Sequence, residues 1–595
     1  VTPDNPLNAL ASPPPIPNHD FFAGLPPWAQ TLVKSVQSKQ ANVFVLHGMT
    51  ADVVPLRGKD GLRFLRLEDF LADELFQAWP TVVTFNRAEG LGFTTPSARR
   101  AFGERMKAYD AVHGTSWADG LPRDAPNCFA LLDSYFRHCA AQQPTRPVVL
   151  LLPFAETLVP VGEASGRTPE DRAVLVYLRK WAHDPVLSAK NMVVVLVAES
   201  LAELDPKLVR SHATRELEIA RPDAIERRSY LEAVRSPDWF RERSELAAER
   251  LAALSAGTTR VQIGQLLDGV DADGRKLTAK DVLLFKKDVI ETEGLGLLEY
   301  VEPKYDLSMV AGMPVVKERL RRAARAIQRG NPSAVPMGYL VCGPVGSAKT
   351  FLVECFVKEV GFPVVKLKNF RSMWVGSTEA NLERILKILS SLTPVGVMID
   401  EADTALGNRE QGGDSGTQSR VFGQIANFMG DTKNRGRIVW FLITARPDLL
   451  PIDLKRQGRA EEHIPLFYPE TVAEVDEIFQ VMKKKLGLAT SVEKISEVAQ
   501  EERLLGLSGS DLEAILVRSI LEAEATESST VTAEHLRRAF DDFVPTTNSL
   551  EREMQILYAV LECTSRELLP PKYRDMDRAE LQARAGEIQR QLRRF

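Results

Sequence analysis

The chain has 595 residues and a mass of 66.1 kDa, more than one hydrophobic core holds, so two or more domains are expected. Hydrophobic residues at 44% and charged residues at 26% exclude wholesale disorder, and a formal net charge of −5 gives no global argument for nucleic-acid binding. No apolar run approaches the roughly 20 residues of a membrane span, and no charged segment leads into an apolar one at the start, so a soluble protein is expected.

Residues 1–27 carry eight prolines, which predict an extended or disordered arm. From Pro27 onward β-type runs alternate with helical patterns, the signature of an α/β fold with a parallel sheet. The five cysteines are odd in number and lack C-x-x-C spacing, and no H-E-x-x-H occurs. Neither a zinc ribbon, a disulfide framework nor a fused metalloprotease of that type is indicated, and the expected address is intracellular.

Two halves of the chain repeat one another. Val148–Leu152 precedes Val395–Ile399 by 247 positions, and Met192–Val197 precedes Ile438–Ile443 by 246. Leu204, Leu208 and Arg210 match Leu450, Leu454 and Arg456, and Leu277-Thr278-Ala279 precedes Val531-Thr532-Ala533 by 254. Four matches in order at nearly one offset predict two copies of one α/β module, each with a helical lid. We divide the chain into an arm (1–27), a first module with lid (28–298), a large subdomain (299–470), a lid (471–548) and a helical tail (549–595). In the tail, nine basic and eight acidic residues after Leu550 nearly cancel, which favours a packed or inter-subunit helix over a nucleic-acid arm.

The chemistry is predicted in the second copy. The β-rich run Tyr339–Cys342 leads into Gly343-Pro344-Val345-Gly346-Ser347-Ala348-Lys349-Thr350 and then a helical stretch. Strand, Gly-rich loop and helix form the context in which backbone N–H groups and a helix N-terminus hold phosphate. Lys349 would reach the β- and γ-phosphates of ATP, and the Thr350 hydroxyl would ligate Mg²⁺. Ala348 stands where glycine is usual, and its methyl is tolerated if φ is negative. Val397–Ile399 ends in Asp400 and Glu401, of which Asp400 suits a Mg²⁺ contact and Glu401 suits polarising the attacking water. At the first copy's equivalent stands His47-Gly48-Met49-Thr50-Ala51-Asp52 with no lysine, and Pro153 and Phe154 replace the two acids. Hydrolysis is not expected there. The larger strand spacing of this copy makes Trp79–Asp124 an expected loop or insertion.

These motifs, with Thr444-Ala445-Arg446-Pro447-Asp448, Leu454–Arg459 and Gly506–Leu512, resemble the core and lid of an AAA ATPase over about residues 300–546. The resemblance implies two tandem P-loop AAA modules, the first degenerate. It makes Arg456 and Arg459 arginine fingers for a neighbouring subunit, and adds Phe351, Val310, Ala311 and Gly312 to the nucleotide site. The family's sensor asparagine falls at Ala445, with Thr444 beside it as the substitute. Ser372–Glu379 is similar to the pore loop of katanin and spastin, so Met373, Trp374 and Val375 would face a hexamer's channel and grip an extended polypeptide. Gly407–Gly416 matches the second pore loop in position. The degenerate first module resembles that of AAA proteins found in algal plastids and cyanobacteria.

The implied activity is ATP-driven protein remodelling by a homohexameric ring, with an adaptor on the first module and no membrane span. A cytoplasmic or stromal location follows. The alternative is a nucleotide-gated scaffold with little turnover, favoured by Ala348 and Ala445. A nucleic-acid translocase is disfavoured by charge.

Overall fold

The computed structural model describes residues 19–592, apart from 59–60, 163–166, 330, 362, 369–377, 407–414 and 545–548. Two compact units, Val1–Lys286 and Lys287–Phe595, divide the chain.

In the first unit the strands are β1 (Val43–Gly48), β2 (Val54–Gly58), β3 (Gly61–Leu65), β4 (Thr81–Asn86), β5 (Gly90–Phe93), β6 (Val148–Leu152), β7 (Met192–Ala198) and β8 (Thr214–Ile219). The main sheet runs β5-β4-β6-β7-β1-β8, parallel except for the β4–β5 hairpin. Every residue of β1, β6 and β7 is buried, as expected for central strands covered on both faces. Helices Ala125–Ala141 and Pro169–Ala182 cover one face and Pro27–Gln37 the other.

The second unit contains β9 (Leu298–Val301), β10 (Gly338–Cys342), β11 (Val364–Leu367), β12 (Val395–Ile399), β13 (Ile438–Thr444) and β14 (Glu462–Pro465). Its sheet runs β14-β10-β13-β12-β11-β9, and only β9 is antiparallel to its neighbour. Pairing β1 with β10, β4 with β11, β6 with β12, β7 with β13 and β8 with β14 superposes the two parallel orders. The duplication extends to the lids. Capping boxes open helices Ala224–Val234 and Val472–Leu486, and again Arg260–Asp273 and Gly509–Ala525. Lone parallel bridges, Ser244 to Leu277 and Thr490 to Val531, recur just before each final lid helix.

Two expectations need correction. Residues 19–27 are not a free arm: His19–Ala23 is helical, and Leu25 is buried with Phe21 and Phe22 packed nearby. Their apolar side chains outweigh the proline signal, which is concentrated before residue 18. Nor is Trp79–Asp124 a loop, for it holds β4, the counterpart of β11. What this copy adds is β5 and the Thr95-capped helix Pro96–His113. The spacing argument registered extra length but could not show that it was folded.

The tail contributes helix Ser549–Glu562 and helix Arg578–Leu592. Leu581 and Ile588 of the latter are buried with Met554, Leu557 and Val560 of the former.

Candidate functional site

Gly343–Ala348 connects β10 to helix Lys349–Val360, placing a helix N-terminus at the end of a buried strand. A Cβ on Gly343 would lie 2.2 Å from the Leu466 carbonyl oxygen, so the strand-to-loop turn admits only glycine. Gly48 in the first copy is under the same constraint, 2.5 Å from the Ile219 oxygen. The two loops begin alike and then diverge. After Gly48 the chain enters the β2–β3 hairpin, so the first copy has no helix N-terminus here as well as no lysine.

Ala348 sits at φ +62°, ψ +30°, contrary to the negative φ that a methyl prefers. The left-handed conformation costs about 1–2 kcal/mol for an L-residue and is held by the loop around it. Glu401, at φ +48°, shares that conformation with Phe154 at +56°, its counterpart in the first copy. The first module has kept the backbone of the strand-end turn and lost its carboxylate.

The Lys349 Nζ donates to the carbonyl oxygens of Gly343 (2.9 Å) and Pro344 (2.8 Å). Burial lowers its pKa to about 8, a shift partly opposed by Cys342, Asp400 and Asp403. Thr350 Oγ1 lies 3.4 Å from both Asp400 oxygens, bringing together the two residues assigned to Mg²⁺. The Lys366 ammonium, 2.9 Å from Asp400 Oδ2, pairs with that carboxylate. The Ser347 hydroxyl is buried without a hydrogen-bond partner among the described residues, a donor aimed into the loop. This loop therefore fits a polyphosphate, and the Thr350–Asp400 pair fits Mg²⁺, which takes few protein oxygens and keeps water and phosphate ligands.

Thr444 is buried; its hydroxyl donates to Asp403 Oδ1 at 2.6 Å and accepts the Arg446 N–H at 2.8 Å. Its sole proton is thus committed within the chain. The two finger candidates separate. Arg456 has a side chain 60% exposed, with Asp453 at 3.5 Å, whereas Arg459 is 8% exposed and donates to the Asp453 carbonyl at 2.7 Å. Burial lowers the Arg459 pKa, and its guanidinium serves its own subunit. Trp374, Met373 and Val375 lie outside the described residues, as do residues 407–414 of the second pore-loop candidate.

A cleft of about 280 Å³ adjoins the loop, lined among others by Ala311, Gly312, Tyr468 and Ile478. Tyr468 links it to the phosphate loop by donating its hydroxyl to the Val345 oxygen at 2.6 Å. Val310 is buried beneath this wall, and its carbonyl accepts from Lys317. Phe351 lies under the Lys485 ammonium, 5.6 Å from the ring centre. The lid closes over the loop: a Cβ on Gly346 would come within 2.7 Å of Ser508 Oγ.

Sequence reasoning missed Lys366, Tyr468 and Gln555. The last, 3% exposed on the tail helix, accepts the Val345 N–H at 3.0 Å. A glutamine among the apolar residues of a helix was its only signal.

Two sheets of one strand order, one ending in a phosphate loop and a paired-acid turn, define a chain of two AAA-type modules. Family comparison agrees. Residues 16–220 match the AAA+ chaperone N-terminal Rossmann-like domain, 225–294 the AAA+ chaperone second helical domain, and 339–468 the ATPase family associated with various cellular activities (AAA). The chain is 28% identical over 362 residues to the cell division cycle protein 48 homolog of Archaeoglobus fulgidus, covering 55% of this chain and 48% of that protein. It is 32% identical over 235 residues to protein SAV of Sulfolobus acidocaldarius (38% and 29%). It is 29% identical over 243 residues to the AAA domain-containing protein ycf46 of Trieres chinensis (39% and 48%). The chain thus spans about half or less of the length of these curated relatives. Among the described residues no helix is long and apolar enough to cross a membrane.

Proposed function

We propose that the chain is an ATP-driven protein-remodelling ATPase acting as a ring oligomer, with one nucleotide site in each chain. The convergence of Lys349, Thr350, Asp400 and Glu401 around one glycine-bounded loop carries this reading. Lys349 would exchange its two carbonyl partners for phosphate oxygens, while Ser347 and the loop N–H groups hold the remainder. Mg²⁺ bound by Thr350 and, through water or directly, by Asp400 would neutralise phosphate charge. Glu401, exposed at its turn, would accept a proton from the attacking water, and Asp403–Thr444 would fix the adjoining strand end.

An exposed Arg456 would complete the site of a neighbouring copy, and a head-to-tail contact of this kind closes into a ring. The first module, lacking these groups, would serve as a scaffold or adaptor layer. A cytoplasmic or stromal location is part of this reading.

Lys349 gives the site a pH signature. Phosphate binds the ammonium form, so affinity is full below pH 8 and falls as pH rises through the free-protein pKa of about 8. Titration with a fluorescent ATP analogue is expected to show about tenfold weaker binding at pH 9 than at pH 7. Whatever binding Lys349→Arg retains should lack this fall, because guanidinium stays charged.

The remodelling claim rests on Trp374. Trp374→Ala is expected to keep ATP turnover and to lose unfolding of a tagged, fluorescent substrate. Unfolding by the variant at the wild-type rate would remove the pore assignment. Wild-type protein that binds ATP and does not hydrolyse it would favour the scaffold.

A further inference from the structure

The tail helix Ser549–Glu562 presents one stripe of polar residues to the lid, the phosphate loop and the segments that follow β13. At its start, Arg552 donates to the Gly506 oxygen (3.1 Å) and to Asp511 (3.0 Å), which closes the capping box of the lid helix with Ser508, and lies over the Tyr468 ring. One turn on, Gln555 accepts the Val345 N–H. Next, Tyr558 lies under the Arg446 guanidinium, beside the Thr444 turn. At its end, Glu562 pairs with Lys455, in the short helix before Arg456, and its carbonyl meets His463 at 2.7 Å. The spacing 552, 555, 558/559, 562 is one helix face, and Ala559 between these contacts is fully buried in the sheet's core.

Beyond this helix the chain returns to the cleft beside the loop. Leu568 is buried against the sheet, while Leu569, Pro570 and Arg574 form part of the cleft wall, held by Lys572 on Glu470 at 3.1 Å. The cleft is also lined by Gly312 and Tyr468, and its mixture of apolar wall and few polar groups suits a planar heterocycle.

We propose that residues 549–574 complete the nucleotide site, with Gln555 positioning the phosphate loop and Leu569–Pro570 walling the purine base. This rests on the nucleotide-binding reading above. The role of Gln555 is to anchor the loop by accepting the Val345 N–H, while Tyr468 holds the Val345 carbonyl.

Calorimetric titration of the full chain with MgADP tests the proposal. Gln555→Glu keeps an acceptor for Val345 but adds a negative charge beside the loop. It should weaken MgADP binding by about tenfold or more, as expected for like charges a few ångströms apart at an effective dielectric near 20. The new carboxylate is desolvated at a position 3% exposed, so the variant's melting temperature without nucleotide is expected to fall. Gln555→Met, which removes the acceptor and adds no charge, should also weaken MgADP binding, and affinity is read well below both melting temperatures. Equal affinity in either variant would overturn the proposal and spare the nucleotide reading. A wild-type protein that binds no MgADP would overturn both. Hydrogen exchange on the wild-type chain supplies an arm free of any folding defect. MgADP is expected to slow exchange in 566–574 together with 343–350, and protection of 343–350 alone would equally overturn the tail's part.

Discussion

Glu401→Gln is expected to lower steady-state ATP turnover by about 10²- to 10⁴-fold while leaving nucleotide affinity within a factor of a few. The substitution removes a proton acceptor and preserves shape. Within its turn Glu401 is held through its backbone: its N–H donates to Asp400 Oδ1 at 3.1 Å, and its carbonyl accepts from the Thr404 and Ala405 N–H groups, contacts that glutamine also makes. Lys349, Thr350 and Ser347 are untouched, so binding persists. Arg456→Ala should also abolish most turnover, because an exposed guanidinium on one copy would act on the nucleotide of the next. The pair yields a sharper result than either alone. In a mixture of the two inactive variants, some interfaces join an intact Glu401 to an intact Arg456, and turnover should partly return. No recovery on mixing would mean that Arg456 acts within its own chain or not at all. Arg459→Ala behaves differently: its guanidinium is buried on the Asp453 carbonyl, so the expected loss is in stability first.

The second module's site was legible because its chemistry is local in sequence. Lys349 and Thr350 are adjacent, Asp400 ends a strand of five apolar residues, and the geometry between them follows from the parallel order of β10, β13 and β12. The duplication was equally legible, since buried parallel strands must be apolar throughout and helix caps need particular residues. Contacts between segments distant in sequence were not legible. Gln555 lies 210 positions from Val345, and no period or motif ties a tail glutamine to a loop amide. Backbone sign was another blind spot. A residue's type says little about φ when a loop imposes it: a methyl at Ala348 is tolerated at negative φ, and the residue stands at +62°. In the first module the missing lysine was visible, whereas the replacement of the phosphate-binding helix by a hairpin was not.

In the first unit Asp52, in the loop after Gly48, is buried against the lid, and its removal should have a large effect on stability. Asp52 Oδ2 lies 3.1 Å from Arg260 Nη1, and Oδ1 accepts the Val261 N–H at 3.1 Å, at the start of lid helix Arg260–Asp273. The side chains are 2% and 7% exposed, and Arg260 also pairs with the half-exposed Glu226 at 3.3 Å. The corresponding lid helix of the second unit, Gly509–Ala525, instead brings Ser508 against Gly346 and leaves the loop free for phosphate. In the first module a buried carboxylate from the loop after Gly48 thus bonds the start of the lid helix directly. Deleting one partner of a buried pair leaves the other charge desolvated, so Asp52→Ala is expected to cost about 3–5 kcal/mol locally. In a two-unit chain a single unfolding free energy is ill-defined, so the measurement is hydrogen exchange read over residues 225–294. Asp52→Ala and Arg260→Ala should each accelerate exchange there. The double variant should be less affected than the sum, because no orphaned charge remains. Slow exchange persisting over 225–294 in Asp52→Ala would show that packing alone holds the lid. MgATP should leave the same segment unchanged in wild type, since its clamp is already supplied by the chain.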